Sequence, residues 1–537
     1  MKKLGNKKKK KIIFYKEKIL KILLGDTIYK KFFRIYFFTI FVGACFLYMP
    51  FSLNSGWVYE NNSYVWYQNG EVFQTYTFFD SIFFASSAFS DTGLTTKVTG
   101  YIFSIPGQFI ITLLIQVGGL GLIAIAILIW KYLINKTNFT ASQRYLLNSE
   151  RGNAKSGESH KMIGFAFVVI FILQLIIWFA LSFFFYNVKP QTPENAELLE
   201  LPQFNYLNAD KFYGNVGLSI WAAYFHTISA LNNAGFDILG PTSIYAYNGG
   251  LGNILSFFLL IALIAGGIGY PIFYDIFQWI QSKRKGYIHR ITLFTKISVL
   301  SYFVIAFFGL VLILVFELPR SSNFKLFYDS IEMENIKTQT PFYNFSKLSS
   351  GDKVWNFIFV TFSSRSAGFS SVPMDYLTIE SRWLMSALMF IGASPSSAGG
   401  GIRTVTLFII IRFLYSRAVG RKYVSVFKRT IHRNLVIEAL MTFILALALI
   451  FVVMILISST TTELQSGTNV IFEAISAFGT SGLTTGVTGK SSIVGLIGLI
   501  FLMFVGQLGL SNSILLWTKK SPTQQILRYQ YEDLRVS

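Results

Sequence analysis

Ile228 to Asp237, ISALNNAGFD, is the stretch that decides the fold, because three other stretches of the chain resemble it. Each one passes from apolar residues through small and polar residues to a single glycine, which Leu or Phe follows. Such self-similarity along a chain indicates one unit written four times. The related stretches are SAFSDTGL at 87–94, FSSRSAGF at 362–369 and SAFGTSGL at 476–483. The glycines of the four stretches are Gly93, Gly235, Gly368 and Gly482.

The apolar segment before each of these glycines is too short to cross a membrane. A dozen helical residues rise only about 18 Å, whereas the hydrocarbon layer is roughly 30 Å thick. Such a segment must enter and turn back, and non-helical backbone at that depth is tolerated only where it is buried in protein or lines a wet cavity. Four loops around one axis would present a ring of carbonyls that replaces the water shell of a cation. The sequence therefore predicts four pore loops, with four unrelated glycine-containing loops as the alternative.

Composition places the chain in a membrane. Hydrophobic residues make up 53% of the chain and charged residues 14%, with a mean hydropathy of +0.50, which is far from a soluble domain of this length. The net charge of +21 raises the question of a nucleic-acid partner, but the basic segments alternate with basic-poor connections, as the positive-inside rule requires. We therefore predict a multi-pass membrane protein, with both termini cytoplasmic, contact with anionic membrane lipid and no nucleic acid. The basic segments are the N terminus, 131–161, 282–296, 412–433 and the residues after Lys519, and the basic-poor connections are 51–77, 187–217, 318–353 and 459–468.

Two features of the N-terminal region argue against an internal disulfide and against a secretory signal peptide. Cys45 is the single cysteine, which excludes an internal disulfide. Lysines interrupt the apolar part of the basic opening and no cleavage site follows, so we predict no secretory signal peptide. The opening is either a helix on the inner leaflet or a disordered basic tail.

The predicted fold class is an all-α polytopic membrane protein with four pseudo-symmetric helix–pore loop–helix repeats, that is, eight transmembrane spans and four half-helices around one central ion pore. A cytoplasmic segment at 1–31 precedes repeat 1 at 32–134, repeat 2 at 161–281, repeat 3 at 292–415 and repeat 4 at 434–518, and a cytoplasmic tail at 519–537 follows. The predicted spans are 32–51, 105–130, 161–186, 251–281, 292–317, 382–415, 434–458 and 492–518, and the half-helices are 78–88, 221–231, 355–364 and 469–479. The long connections at 187–217 and 318–353 are interpreted as external loops that shape an entrance.

Charged residues inside these segments are expected to face the pore or a partner, because a charge at mid-bilayer costs at least about 2.5–3.5 kcal/mol. Asp91 and Asp237 flank two of the glycines. At an outer mouth they would raise the local cation concentration, and the alternative is that they cap the loop backbone. Arg365 is expected to point away from the axis and tie down its loop, while Asp80 and Glu473 are expected to hold helix ends or neighbouring loops.

Three glycine-rich stretches lie in the inner spans. GASPSSAGGG at 392–401, followed by Arg403, cannot remain a plain helix and is predicted to break into an irregular segment under the loops. A mobile plug there would be a gate, and a kinked packing site is the alternative. QVGGLG at 116–121 and GGIGYP at 266–271 lie in apolar spans, and neither has the strand and acidic residue of a dinucleotide fingerprint. Their glycines are predicted to let helices approach or bend.

With these motifs the chain resembles the Trk/Ktr/HKT superfamily of potassium transporters, and most of all the membrane subunit of a bacterial Ktr system. The resemblance covers nearly the whole chain from about residue 30. It depends on the motifs above and on ALNNAGFD at 230–237, SRSAGF at 364–369, FGTSGLTTG at 478–486 and FIGASPSSAGGGIRT at 390–404.

The resemblance implies potassium uptake through a channel-like pore, with Na⁺ as a possible activator and no covalent or catalytic cofactor. It implies a homodimer and a cytosolic ring of nucleotide-binding, RCK-type regulatory subunits on the basic inner face, through which ATP or ADP would act. The implied K⁺ selectivity filter is Asp91, Thr92, Gly93, Leu94, Asn233, Ala234, Gly235, Phe236, Ser366, Ala367, Gly368, Phe369, Thr480, Ser481, Gly482 and Leu483. The implied gate is Gly392, Ala393, Ser394, Pro395, Ser396, Ser397, Ala398, Gly399, Gly400 and Gly401, together with Gln507.

The alternatives to potassium uptake are a less selective cation pathway and a membrane-embedded enzyme. A less selective Na⁺/K⁺ pathway belongs to the same class, and glycine at all four filter positions favours K⁺. A membrane-embedded enzyme would need convergent acids, histidines or a nucleophile near one leaflet. The histidines, His160, His226, His289 and His432, are scattered, so the sequence predicts a transporter and not an enzyme.

Gln507 supplies the first testable prediction. The family usually has an arginine in the fourth inner helix, facing the pore, and the matching stretch FVGQLGLSNS at 504–513 has Gln507. A neutral amide there lowers the barrier to cations, which puts strict gating or selectivity in question. We predict that Gln507→Arg reduces cation flux into liposomes, and unchanged flux would show that this residue does not face the pore.

Overall fold

The computed structural model describes residues 28–60, 62–68, 71–120, 159–190, 208–240, 243–286, 288–318, 348–395, 397–460 and 466–510. Several predictions therefore lie outside the described residues. They concern the basic segment before residue 28, the end of the first inner span and the connection after it, most of both external loops, Ser396 and the C-terminal tail.

The described chain is mostly helical. In chain order its helices are α1 (Ile28–Leu47), α2 (Phe78–Phe89), α3 (Thr99–Ile102), α4 (Ile105–Leu120), α5 (Ser159–Asn187), α6 (Val216–Leu231), α7 (Asn253–Ile268), α8 (Tyr270–Lys285), α9 (Leu293–Glu317), α10 (Ser350–Ser363), α11 (Ile379–Ile391), α12 (Thr404–Ala418), α13 (Arg433–Thr460), α14 (Gly467–Gly479) and α15 (Ile493–Leu508). The half-helices are α2, α6, α10 and α14, and each one precedes a glycine stretch.

The helices pack in a cyclic order. Each half-helix contacts the outer helix before it, which gives the pairs α1·α2, α5·α6, α9·α10 and α13·α14. Each inner helix contacts the half-helix of the next group, which gives α4·α6, α7·α10 and α11·α14. The last inner helix, α15, contacts the first half-helix, α2. The four groups therefore close on themselves, and the glycine stretches follow half-helices that all lie at the centre of this arrangement.

All four half-helices begin with the same kind of cap. The side chain of the residue before the helix accepts a hydrogen bond from the backbone N–H three residues on, at Thr77, Asn215, Ser349 and Ser466. Such caps satisfy N–H groups that have no partner inside the helix. Two of these caps correct predicted boundaries, because α6 and α10 start at Val216 and Ser350 rather than near 221 and 355.

Two predicted inner spans are interrupted. The span predicted at 251–281 breaks at Gly269, which has φ of +87° and precedes a helix with Pro271 in its first turn. Proline lacks the N–H that would continue the earlier helix, so α7 and α8 are separate helices that meet within the glycine stretch at 266–271, where a bend is predicted. The break predicted in the third inner span is confirmed, since residues between α11 and α12 are irregular.

The prediction of an all-α chain is also wrong in detail. Residues 57–76 form a three-stranded antiparallel sheet of β1 (Trp57–Glu60), β2 (Ser63–Gln68) and β3 (Glu71–Tyr76), with Trp57 opposite Trp66 and Tyr64 opposite Tyr76. A two-residue hairpin, β4 (Ser425–Val426) and β5 (Arg429–Thr430), follows α12. Aromatic residues at alternating positions of 57–67 provide the cross-strand pairs that stabilise a small sheet.

Length and composition identify membrane-spanning candidates. Four helical stretches of the described chain are long and apolar enough to cross a membrane: Gly164–Asn187, Gly250–Ile268, Leu293–Glu317 and Arg433–Thr460. Shorter apolar helices include Phe33–Leu47, Ile105–Gly119 and Ile493–Leu508. The total of eight spans therefore stays a prediction.

Asp275 fixes the junction between α8 and α9. Its carboxylate accepts hydrogen bonds from His289 Nε2 at 2.9 Å and from the backbone N–H of Thr292 at 2.9 Å. The same carboxylate also accepts from the hydroxyl of Thr292 at 3.0 Å. His289 is thus a structural partner of Asp275.

Candidate functional site

The four glycine stretches come together as a closed ring. A Cβ atom built on Gly93 would lie less than 3.0 Å from the carbonyl oxygen of Ala234, the residue before Gly235. The same relation joins Gly235 to Ala367, Gly368 to Ser481 and Gly482 back to Thr92. All four glycines have positive φ, between +68° and +87°, where side chains are disfavoured. We call residues 91–94, 233–236, 366–369 and 480–483 the glycine ring.

The side chains of the ring are buried in the protein. The residues after the glycines, Leu94, Phe236, Phe369 and Leu483, are at most 1% exposed. The residues before the glycines, Thr92, Ala234, Ala367 and Ser481, are equally buried. At the ring itself, a backbone carbonyl of each loop lies beside the glycine of a neighbouring loop.

Three half-helices end in the same turn. The N–H of the residue before the glycine donates five residues back, from Thr92 to Ser87, from Ala234 to Ser229 and from Ser481 to Ser476. The preceding residues, Asp91, Asn233 and Thr480, are left-handed, with φ between +47° and +56°. This is a Schellman-type helix end, in which glycine is usual. Thr480 is β-branched, so its left-handed conformation is strained and must be held by its neighbours.

The third loop departs from this pattern. The N–H of Ala367 donates to the carbonyl of Ser363 at 2.8 Å, four residues back, and Ser366 is not left-handed. Its hydroxyl lies 2.7 Å from the side-chain amide of Asn233 in the second loop. In the orientation that satisfies the whole amide, the Asn233 oxygen accepts from Ser366 and from the N–H of Gly267. Loops two and three are therefore joined by side chains as well as by backbone contact.

Asp91 does not lie where an outer mouth would place it. It is 0% exposed, at the turn that ends α2. Its Oδ2 lies 3.4 Å from the Nε2 of Gln507, and its Oδ1 has no hydrogen-bond partner. The expectation that Asp91 concentrates cations at an outer mouth is wrong, because the half-helix carries this residue to the turn of its loop and not to the loop's exit.

Asp237 caps its own loop. Its Oδ1 accepts a hydrogen bond from the N–H of Leu239 at 3.2 Å. This is the local side-chain-to-backbone bond typical of aspartate in turns. The capping alternative is therefore confirmed for Asp237.

Arg365 ties down the third loop as predicted. Its Nε donates to the carbonyl of Gly392 at 2.9 Å, and its guanidinium lies 5.1 Å from the ring centre of Tyr302 on α9. Arg365 is 0% exposed. It therefore connects the loop to the start of the 392–401 segment and to the outer helix.

Two acids hold the outgoing halves of loops one and four. Asp80 forms a capping box with Thr77 and accepts from Thr96 Oγ1 at 2.7 Å. The buried Glu473 accepts from the N–H of Thr485 at 2.8 Å and from Thr488 Oγ1 at 2.7 Å. It also accepts from Thr484 Oγ1 and the N–H of Val487. The prediction that Asp80 and Glu473 hold helix ends or loops is confirmed.

The 392–401 segment lies against loops three and four. A Cβ on Gly399 would meet Ser366, and a Cβ on Gly400 would meet Thr480, both at less than 3.0 Å. The N–H of Gly400 donates to Thr480 Oγ1 at 2.6 Å. Further bonds run from the N–H of Ser394 to the carbonyl of Gly267, from Gly401 to Phe478 and from Thr404 to Ala393. Protein groups thus satisfy much of this irregular backbone.

One side of the segment borders a cavity. Ser397 and Ala398 line it together with Gly119, Asn232 and Gly266, which belong to other helix groups. The segment is therefore bonded to the ring on one side and adjoins open space on the other.

Gln507 forms hydrogen bonds with residues of α1, of α2 and of the start of α12. Its Oε1 accepts from the hydroxyl of Tyr36 on α1 at 2.9 Å, and its Nε2 donates to the carbonyl of Phe89 at 2.9 Å. Arg403, left-handed with φ of +70°, donates from Nη2 to the main-chain oxygen of Gln507 at 3.2 Å. Gln507 thereby links α1, the end of α2 and the residue that follows the 392–401 segment.

The sequence reasoning missed the partners of these residues. It did not identify Tyr36 as a partner of Gln507, Tyr302 as a partner of Arg365, or the Thr480 hydroxyl as the acceptor of the Gly400 N–H. A signal existed for Thr96, Thr484 and Thr488, because hydroxyls that follow a loop can reach an acid in the preceding half-helix. The contacts of Tyr36 and Tyr302 involve residues on distant helices, which a single sequence does not pair.

Across the described residues, no group of three or more His, Cys, Asp or Glu side chains could hold a metal ion. His226 is buried in α6, where its Nδ1 lies 2.7 Å from the carbonyl of Ala222.

Comparisons with known proteins agree with this architecture. The family model TrkH, described as a cation transport protein, matches residues 29–529. An uncharacterized cation transporter of Mycoplasma genitalium is 33% identical, over 96% of this chain and 98% of that protein. The Ktr system potassium uptake protein D of Bacillus subtilis is 29% identical over 83% of this chain and 87% of its own length. The potassium/sodium uptake protein NtpJ of Enterococcus hirae is 28% identical over 93% and 95%.

A solved structure shares the fold. The potassium transporter TrkH from Vibrio parahaemolyticus superposes with a TM-score of 0.56 at 16% identity, covering 82% of this chain and 78% of that one. Fold, apolar helices and relatives define a multi-pass membrane transport protein and not an enzyme. The chain belongs to the TrkH family of cation transport proteins.

The anchoring by Glu473 gives a second prediction. Glu473→Gln keeps the size of the side chain but replaces a carboxylate oxygen by a donor, so at least one buried hydroxyl or N–H loses its acceptor. We expect a loss of about 1–3 kcal/mol in the free energy of unfolding, seen as a lower melting temperature of the purified protein. Glu438→Gln, on an exposed position of α13, is the control, and equal melting temperatures for the two variants would contradict the anchoring role.

Proposed function

We propose that this protein takes up potassium ions through a channel-like pore whose selectivity filter is the glycine ring. The observation that carries the proposal is the closed succession of four loops, in which each glycine touches the carbonyl of the residue before the next glycine. A ring of carbonyls can replace the hydration shell of a monovalent cation. Uptake needs no energy source within the chain, because a potential of about 100 mV contributes roughly 2.3 kcal/mol per charge.

The ring is supported against collapse by groups behind it. Asp80, Glu473 and Arg365 each hold part of a loop through several contacts. The buried residues Phe236 and Phe369 fill the space behind their loops. A filter that holds its shape can favour one ion size or coordination number over another, and this supports selectivity for K⁺.

A less selective Na⁺/K⁺ pathway is the second candidate. It is favoured by the similarity to the potassium/sodium uptake protein of Enterococcus hirae. Glycine at all four ring positions makes the loops alike in backbone, which favours the K⁺-selective function. A role of Na⁺ as an activator is part of the same proposal and is tested by the same ion comparison.

The regulatory partners belong to the proposal as well. The similarity to a Ktr system protein supports a homodimer in the plasma membrane that binds a cytosolic ring of nucleotide-binding, RCK-type subunits. Exposed basic residues at the end of α8 and around the β4–β5 hairpin offer a surface of suitable charge; they include Lys283, Lys285, Arg421, Lys422 and Arg429. With both termini cytoplasmic, this surface would face the cytosol and its anionic lipid.

The gate is proposed to be the 392–401 segment. Its bonds to Thr480 and Gly267 hold it against the ring, and the cavity at Ser397 and Ala398 lies on its other side. Opening would break the bond between the Gly400 N–H and the Thr480 hydroxyl. Arg403 and Gln507 would limit how far the segment can move.

A third prediction tests this gate. Thr480→Val keeps the shape of the side chain but removes the acceptor of the Gly400 N–H, so the closed position loses about 1–3 kcal/mol. We expect K⁺ flux into liposomes without regulatory subunits to rise several-fold. Thr227→Val is the matched control, because the Thr227 hydroxyl is buried without a hydrogen-bond partner. Equal flux in both variants would argue that the segment is a fixed packing site.

The fourth prediction tests the filter itself. Gly235→Ser introduces a Cβ at a left-handed residue, less than 3.0 Å from the carbonyl of Ala367, so the second and third loops must separate. We expect K⁺ and Rb⁺ flux to fall and Na⁺ permeation to appear, measured in liposomes under an imposed potential.

Gly467→Ser provides the control, because a Cβ at Gly467 meets no atom within 4 Å. If Gly235→Ser keeps the K⁺-to-Na⁺ flux ratio of the wild type, the glycine ring is not the filter. If the wild-type protein carries no cation even with regulatory subunits added, the transport proposal itself fails.

A further inference from the structure

The end of α2 carries a cluster that the proposed filter does not use. It consists of the Phe89 carbonyl, the Asp91 carboxylate, the Gln507 amide and the Tyr36 hydroxyl. These groups come from helices far apart in sequence and meet at the turn of the first loop. They surround a negative charge at the edge of the glycine ring.

The Phe89 carbonyl is an acceptor with capacity to spare. It lies in the last turn of α2, and among the described residues no backbone N–H donates to it. The last carbonyls of a helix also form the negative end of its dipole, equivalent to roughly half an elementary charge. The turn of the first loop is therefore electronegative before any side chain is considered.

Asp91 adds an ionisable carboxyl group at the same place. It is 0% exposed and its Oδ1 has no hydrogen-bond partner. No Lys or Arg of the described chain lies within 4 Å of the carboxylate, and Arg403 instead contacts the main-chain oxygen of Gln507. An isolated buried carboxylate is costly, so a cation or a proton must compensate it.

The amide of Gln507 occupies the place between the two acceptors. Its Nε2 is 2.9 Å from the Phe89 oxygen and 3.4 Å from Asp91 Oδ2. A neutral amide offers these oxygens only the partial positive charge of an N–H group. A small cation carries more positive charge than the amide, and it would suit the position between the Phe89 oxygen and the Asp91 carboxylate.

We propose that the Phe89 carbonyl and the Asp91 carboxylate form a binding site for a monovalent cation beside the filter, and that a bound cation displaces the Gln507 amide. The inference deepens the proposed function and rests on it, since it places a charged ligand next to the backbone ring. Asp91 then contributes its side chain and not only its backbone to ion binding. The site raises the occupancy of cations at the turn end of the ring.

The other three loops cannot form this site. The corresponding positions are Asn233, Ser366 and Thr480, which carry no charge. Asn233 contacts Ser366, and Thr480 accepts from Gly400. At this position one loop of four thus carries an ionisable side chain, and additional cation occupancy there is expected to depend on Asp91.

The experiment measures cation binding without relying on transport. The full-length protein is melted in detergent at increasing KCl, with choline chloride holding the ionic strength constant, because a cation that binds the folded state raises the melting temperature. Asp91→Asn removes the charge at constant shape. We expect it to raise the KCl concentration for half-maximal stabilisation at least tenfold, and Glu438→Gln to leave that concentration unchanged.

A second variant keeps the test decisive if Asp91→Asn folds poorly. Gln507→Lys places an ammonium group where the amide lies, next to an intact Asp91. We expect its melting temperature to be independent of KCl at this site, and adding Asp91→Asn to it to lower the melting temperature by removing the new ion pair.

Flux measurements distinguish a failure of the Asp91 site from a failure of the proposed transport function. K⁺-selective flux in the wild type together with unchanged KCl dependence in both variants overturns the Asp91 site and leaves the filter proposal standing. That result would mean that a proton compensates the carboxylate. Absence of K⁺-selective flux in the wild type, with regulatory subunits present, overturns the proposed function and this site with it.

Discussion

The structure depends on the contact between each ring glycine and the carbonyl before the next one. A side chain at any of these glycines would meet a backbone oxygen at less than 3.0 Å, and the positive φ of each glycine excludes most other residues on conformational grounds. Backbone therefore touches backbone at four places around the ring. The half-helices must converge for this to happen, which sets the cyclic packing of inner helix on neighbouring half-helix.

Such a ring cannot hold itself together, because its loops contribute few bonds to one another. Polar side chains outside the glycine ring do so instead. Glu473 and Asp80 bind the outgoing halves of two loops, and Arg365 binds the third to the 392–401 segment. Each of these ionisable groups is expensive to bury alone. Several hydrogen bonds or a stacked ring offset that cost, and the same bonds restrict the movement of the loops.

The glycine stretches and the irregular third inner span could be predicted because each leaves a compact signal in the sequence. The starts of α6 and α10 lie several residues before the predicted half-helices, because Asn215 and Ser349 cap each helix ahead of its most apolar part. The sheet of β1, β2 and β3 could not be predicted from charge, because its strands are short and are stabilised by aromatic cross-strand pairs. The position of Asp91 could not be derived from its closeness to Gly93. Its surroundings depend on Gln507 of α15, more than 400 residues further along the chain, and on Tyr36 of α1, which bonds to Gln507.

The four loops share a backbone and differ in the residue at the turn. Asp91 faces Gln507, Asn233 binds Ser366, Ser366 meets Gly399, and Thr480 accepts from Gly400. The turn residues connect each loop to a different neighbour, and among the described residues the contacts of the 392–401 segment with them involve Ser366 and Thr480. Asp91 instead meets α15 through Gln507, whose main-chain oxygen accepts from Arg403 just after that segment. The segment is therefore coupled directly to loops three and four, and to loop one through Arg403 and Gln507.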